Sequence, residues 1–155
     1  MGQRSLRDAV ITISDGASAD IVLKVGEGNF SFTERQNVEY IRDRGIIDTV
    51  RLGDDEPVDV SFDIMWDWIF SGTLTSTDAD SIRDIIKGNG YTTVGGTCEP
   101  YACDITIVIT DAVCGYNETI TLSDFRWEEL SYDLKAGTIS CSGKCNIATA
   151  GVASV

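Results

Sequence analysis

From Val58 to Trp68 every even position is apolar (Val58, Val60, Phe62, Ile64, Trp66, Trp68), while Asp59, Asp63 and Asp67 stand among the odd ones. A period of two marks a β-strand with one buried and one solvated face. At 3.3 Å per residue this strand would span about 36 Å, roughly twice the common length. A small core alone does not call for such a strand.

The same alternation predicts strands at Ala9–Ser14, closed by an Asp15-Gly16 turn, at Ile21–Val25 and at Phe30–Arg35. The Gly26 and Gly28 pair between the last two reads as a hairpin turn, because no third glycine and no helix follow it. Ile82, Ile85 and Ile86 fall on one helical face, with Thr77 and Asp80 at capping-box spacing and Gly88-Asn89-Gly90 as the stop, so one helix of about ten residues is expected there. Further strands follow around Ile105–Ile109, at Thr119–Leu122, Phe125–Leu134 and Thr138–Ile147. Trp127, Leu130 and Leu134 would also suit a helix face, and the turn Lys135-Ala136-Gly137 into β-branched Thr138-Ile139 decides for a hairpin. One helix among strands marks a mainly β (α+β) chain.

Between Asn37 and Glu56 the pattern changes. Arg42, Asp43, Arg44, Asp48, Arg51, Asp54, Asp55 and Glu56 crowd into twenty residues with only isolated aliphatics between them. Such a segment buries little of itself. Its alternating charges fit a surface that pairs with another surface, or a solvated loop.

With 155 residues and 43% apolar content, a single domain large enough for a true core is expected. The 12 Lys+Arg against 25 Asp+Glu give a net charge of −13, which repels nucleic acid and anionic membranes. Sequence-specific DNA binding and membrane binding are therefore not expected. No signal-peptide pattern or membrane-length apolar run is present, so folding in a cytoplasm is expected.

The chain has no histidine, which removes the commonest general base, the Ser-His-Asp and Cys-His arrangements and every histidine-containing metal site. Asp59, Asp63 and Asp67 are spaced four apart, about 13 Å along a strand, too far to act as a glycosidase pair. The Asp54-Asp55-Glu56 run lacks the alternating oxygen ligands of an EF-hand loop. The five cysteines, Cys98, Cys103, Cys114, Cys141 and Cys145, contain no CxxC pair and read as buried structural thiols, although Cys98 and Cys103 would be able to meet across the Glu99-Pro100 turn. No catalytic residues, metal or cofactor are expected. Trp66 and Trp68 share the apolar face with Phe62 and Ile64, where packing explains them more simply than sugar stacking.

The run from Asp43-Arg44-Gly45-Ile46-Ile47-Asp48 through Val58-Asp59-Val60-Ser61-Phe62, followed by a tryptophan-containing strand, resembles tail tube proteins of tailed bacteriophages. Asp124-Phe125-Arg126 through Leu134–Ser140, ending in Gly143-Lys144-Cys145-Asn146, resembles them too. The resemblance implies an antiparallel β-sandwich or barrel with one flanking helix and an extended loop or hairpin arm. It implies stacked hexameric rings around a channel, other phage tail proteins as partners, and DNA passing without specific binding. In that frame Asp59, Asp63 and Asp67, or acidic residues on an adjacent strand, would face the lumen of a virion tail, and an arm at about 37–57, Asn37 to Glu56 with the charged residues from Arg42 to Glu56, would reach a neighbouring subunit. A head-to-tail connector or tail-completion ring shares this architecture without polymerising. A monomeric β-sandwich module that binds sugar or calcium is the reading from another class.

Overall fold

The computed structural model describes residues 9–17, 20–25, 28–66, 68–70, 79–111 and 115–154, with 68–70, 79–80 and 147–154 described through their backbone. In chain order the elements are β1 (Ala9–Ser14), β2 (Asp20–Val22), β3 (Phe30–Thr33), β4 (Val38–Asp43), β5 (Ile46–Leu52), β6 (Val58–Met65), β7 (Trp68–Phe70), β8 (Ala79–Ser81), α1 (Ile82–Lys87), β9 (Cys103–Asp111), β10 (Tyr116–Asp133), β11 (Thr138–Cys145) and β12 (Ile147–Ser154). The pairing is antiparallel throughout. A mainly β fold with one short helix is what the alternation and the isoleucine stripe predict, and the hairpin arm is what the resemblance to tail tube proteins implies.

The organising strand is β10. Its first half pairs with β9 and β12, and its second half with β11, so one 18-residue strand serves two sheets. The first sheet runs β2-β1-β9-β10-β12 and the second β10-β11-β6-β3. The change of sheet occurs where the β9 register shifts between Leu122 and Phe125, at Asp124, which takes a left-handed φ of 55°. Side chains hold this corner. Asp104 Oδ1 accepts the Asp124 amide at 3.0 Å, Asn146 Nδ2 donates to Asp124 Oδ2 at 3.0 Å, and Arg126 donates to Asn146 Oδ1 at 3.1 Å and to Glu99 at 2.9 Å. A polar network is the economical way to fix a bend that breaks the ladder, since each unmade backbone bond would otherwise go unsatisfied.

The inner faces of the two sheets meet in one apolar cluster. Ile11, Ile13, Ile105, Ile107, Leu122 and, at the corner, Phe125 come from the first sheet, and Val58, Val60, Phe62, Ile64, Ile139, Cys141 and Cys145 from the second. Phe62 is central, stacked on Phe30 with ring centroids 5.3 Å apart and tilted against Phe125 at 5.8 Å. The helix closes the cluster with Ile82, Ile85 and Ile86, all buried.

Several boundaries differ from the pattern-based expectations. The strand expected over Val58–Trp68 ends at Met65. Its partner β11 begins at Thr138, opposite Met65, so the ladder has no strand to continue against. Trp68–Phe70 instead pairs with Ala79–Ser81 in a separate two-stranded sheet. The helix starts after Ser81, whose amide donates to Asp84 Oδ2 at 3.0 Å, and not at Thr77, which lies outside the described residues. Asp80 belongs to β8, and Gly88, at φ 82°, ends the helix as expected. The segments at Thr119–Leu122 and Phe125–Leu134 form one strand rather than two, and β12 follows with no counterpart among the expectations. Cys98 is exposed, contrary to its reading as a buried thiol, and Cys98 and Cys103 are both free. Cys114 and Asp67 lie outside the described residues.

Candidate functional site

Two surfaces carry the residues singled out from the sequence. The first is the outer face of the second sheet. Its cross-strand rows are Ser31–Ser61–Ser142, Asp63–Ser140–Ser131 and Thr33–Asp59–Lys144, with Glu129 beside Ser142 and Asp133 at the far end. Five serines therefore pave the middle of a face whose inner side is Phe62, Val60 and Cys141. This is the alternation of β6 expressed in space, with apolar residues inward and Asp59, Ser61 and Asp63 outward.

The two described aspartates are not equivalent. Asp59 is paired with Arg35 through a hydrogen-bonded ion pair, and Lys144 Nζ approaches its other oxygen at 4.0 Å. The Arg35 hydrogen bond, followed by the charges of Arg35 and Lys144, outweighs desolvation and holds the Asp59 carboxyl below the usual aspartate range. Asp63 accepts a hydrogen bond from Ser140 Oγ at 2.5 Å, and among the described residues no ion pair joins it. Arg35 is thus a partner on this face that sequence spacing missed: it lies 24 residues before Asp59, beyond any strand or helix period.

The second surface is the β4–β5 hairpin. Arg42, Asp43, Asp48 and Arg51 lie on its strands, and Arg44-Gly45 forms its two-residue tip with φ of 51° and 84°, the positive-φ pair of a type I′ turn. Glu39 and Arg51, directly opposite each other, are joined at 2.6 Å. On the other side of the ribbon the register places Val38 against Leu52 and Tyr40 against Val50. Tyr40, Ile46, Ile47, Val50 and Leu52 are all more than half exposed. Among the described residues none covers the hairpin's apolar face, and the signal was present as the even-numbered apolar pairs 38/40 and 50/52, hidden among charges. Asp54, Asp55 and Glu56 are not on the hairpin. They line a cleft of about 340 Å³ at its base with Glu34, Arg35, Asn37 and Asn146. Among the described residues no three carboxylates or thiols converge as a metal site would require.

A third feature is a cleft of about 500 Å³ lined by Trp66, Ser81, Arg83, Asp84 and Leu134. Trp66 is half-buried, packs on Tyr132 at 5.0 Å and donates from Nε1 to Ser81 Oγ at 2.8 Å, and Arg83 lies over the Tyr132 ring. Trp127 is open to solvent beneath Lys87. The side chain of Trp68 lies outside the description.

The fold matches solved components of contractile injection systems. It superposes on the tube-terminating cap of the anti-feeding prophage with a TM-score of 0.60 at 10% identity, over 99% of this chain and 93% of that one. The likeness is one of fold. For the sheath/tube terminator of PVC, an extracellular contractile injection system, in its extended state, the TM-score is 0.54 at 12% identity, covering 97% and 98% of the two chains. A chain of the PVC sheath-tube complex in the extended state gives 0.52 at 12% identity over 99% and 93%. No protein-family model and no curated protein matches the sequence.

Proposed function

We propose that this chain is a structural protein of a phage-tail-like particle, that copies of it close into a ring, and that the ring caps or completes a tube. The observation that carries this reading is the end-to-end match to a tube-terminating cap and to a sheath/tube terminator, each covering more than nine-tenths of both chains. The uncovered hairpin supports it, because a two-stranded ribbon with an exposed apolar face is marginal in water and gains stability only against another surface. In the ring, Arg42, Asp43, Arg44, Asp48 and Arg51 travel with the hairpin to a neighbouring subunit, while Asp54, Asp55 and Glu56 stay at its base.

The serine-paved face is the surface best suited to line a channel. Small hydroxyls and scattered carboxylates dominate this face, and its two cations, Arg35 and Lys144, are engaged with Asp59, so a passing polyanion such as DNA meets little that attracts it. Arg35 and Lys144 neutralise Asp59, so the negative potential of this face rests on Asp63, Glu129 and Asp133 more than on Asp59. Asp67 belongs to the same sequence pattern. Replacing Asp59, Asp63 and Asp67 by lysine should leave rings that assemble and particles that release DNA poorly. Normal release would remove the channel assignment.

A tube subunit, repeated as stacked hexameric rings, is the second reading, favoured by the match to the sheath-tube complex. Electron microscopy of the purified chain separates the two. Discrete single rings support a terminator, and hollow filaments of indefinite length replace that reading with the tube subunit. A chain that binds sugar or calcium as a monomer contradicts both.

A further inference from the structure

Among the described residues the two longest strand edges without a partner are those of β12 and β5, and each has what the other needs. β12 pairs with β10 in unbroken register from Tyr116↔Ser154 to Ser123↔Ile147. Among the described residues no strand pairs with its other side. A free edge presents a row of N–H and C=O groups, and proteins ordinarily blunt it with charge, proline, a bulge or shortness. The sequence of β12, Ile147-Ala148-Thr149-Ala150-Gly151-Val152-Ala153-Ser154, has eight residues, no charge and no proline. The other outer strands are shorter: β2, β7 and β8 have three residues, β3 four, and β4, which carries Glu39, Arg42 and Asp43, six.

The second edge belongs to β5. It is seven residues long, exposed at every position, and paired on one side only, with β4. The hairpin needs a third strand or a packing face to be stable.

We infer that β5 of one copy adds to the free edge of β12 in the next, so that the first sheet runs on across the subunit boundary. Seven residues meet eight, and main-chain hydrogen bonds between them carry the affinity, as in other strand additions. Pairing β12 with β12 would close a two-fold dimer and leave every hairpin uncovered. Pairing β5 with β12 uses the two longest of these edges in every copy and is head-to-tail, the geometry that generates rings. The absence of charge on β12 leaves Arg51 and Glu39 their existing partner within the hairpin and opposes no like charge to it. This inference rests on the ring reading and names the surface that receives the arm.

The test uses the full chain with a benzophenone amino acid replacing Thr49 in β5. After irradiation of the assembled protein, mass spectrometry should find cross-links joining residues 46–52 of one copy to residues 147–154 of another, and these should be lost in the dilute monomer. Cross-links from assembled rings that reach only other segments overturn the β12 acceptor and leave the ring reading standing. A chain that never assembles overturns both. Hydrogen exchange of the unsubstituted protein supplies a second readout that needs no variant: on assembly, amides of both 46–52 and 147–154 should slow by about tenfold or more. Unchanged exchange over 147–154 in rings contradicts the inference.

Discussion

Arg35 closes on Asp59 across the edge of the second sheet, joining the chain just beyond β3 to the first outward carboxylate of β6. The pair has a defined pH signature. The folded-state pKa of Asp59 is depressed by the Arg35 hydrogen bond and charge, so its contribution to stability is present above the unfolded aspartate value, about 3.9, and is lost as pH falls through the lower folded value. NMR titration of the Asp59 carboxyl should give a midpoint below that of an ordinary aspartate. Arg35→Ala should move it upward, and an unmoved midpoint would show that the pair is not formed in solution. Because the pair is open to solvent, Arg35→Ala should change overall stability little.

Phe62 has almost no exposed surface and two aromatic neighbours. Phe62→Ala should cost about 3–5 kcal/mol in chemical denaturation, from lost burial and the cavity left between Phe30 and Phe125. Phe62→Leu, which keeps most of the volume, should cost clearly less. Equal losses for the two would show that the ring stack is not part of the core.

Gly143 occupies a position in β11 where a side chain has no room. An added Cβ would fall 2.1 Å from the Arg126 carbonyl oxygen and 2.9 Å from the Trp127 Cα, beside the register shift between Trp127 and Glu129. Gly143→Ala should therefore destabilise by about 1–3 kcal/mol or force the bulge to move. A thermal melt equal to wild type would contradict the close approach.

The thiols divide by environment. Burial pushes Cys141 up to about 12 and Cys145 up to about 11, and raises Cys103 as well, so in the native protein these three are held as unreactive thiols. Cys98 is exposed. A colorimetric thiol reagent at pH 8 should modify Cys98 quickly and Cys103, Cys141 and Cys145 only on unfolding. Cys98→Ser should remove one fast equivalent, and fast labelling of Cys141 would mean that the core opens readily.

These contrasts show where local pattern was sufficient. Ala9–Ser14, the start of β6 at Val58 and the stripe Ile82, Ile85, Ile86 could be read directly, because alternation and helical spacing record burial when large apolar residues carry it. β12 was invisible for the opposite reason. Ile147–Ser154 is built of small residues whose strand conformation is set by the ladder with β10. The end of β6 at Met65 is decided by where β11 begins, 73 residues later in the register pair Met65↔Thr138. The fusion of two expected strands into β10 depends on Asp124 taking a left-handed conformation, which the corner hydrogen bonds sustain. At the candidate site, the outward aspartates of β6 were legible, whereas the Arg35 partner and the apolar side of the hairpin emerged only once the strands were paired.

Native mass spectrometry of the full chain beside one in which residues 39–51 are replaced by a short Gly-Ser turn tests ring formation most directly. The hairpin contributes nothing to the buried cluster, so the shortened protein should remain folded, with an unchanged melting profile, and run as a monomer. The full chain should give a single closed oligomer of defined copy number, six for a tail-type ring. A full chain that stays monomeric across the concentration range, or a shortened chain that assembles as well as the intact one, would contradict a ring built through the hairpin.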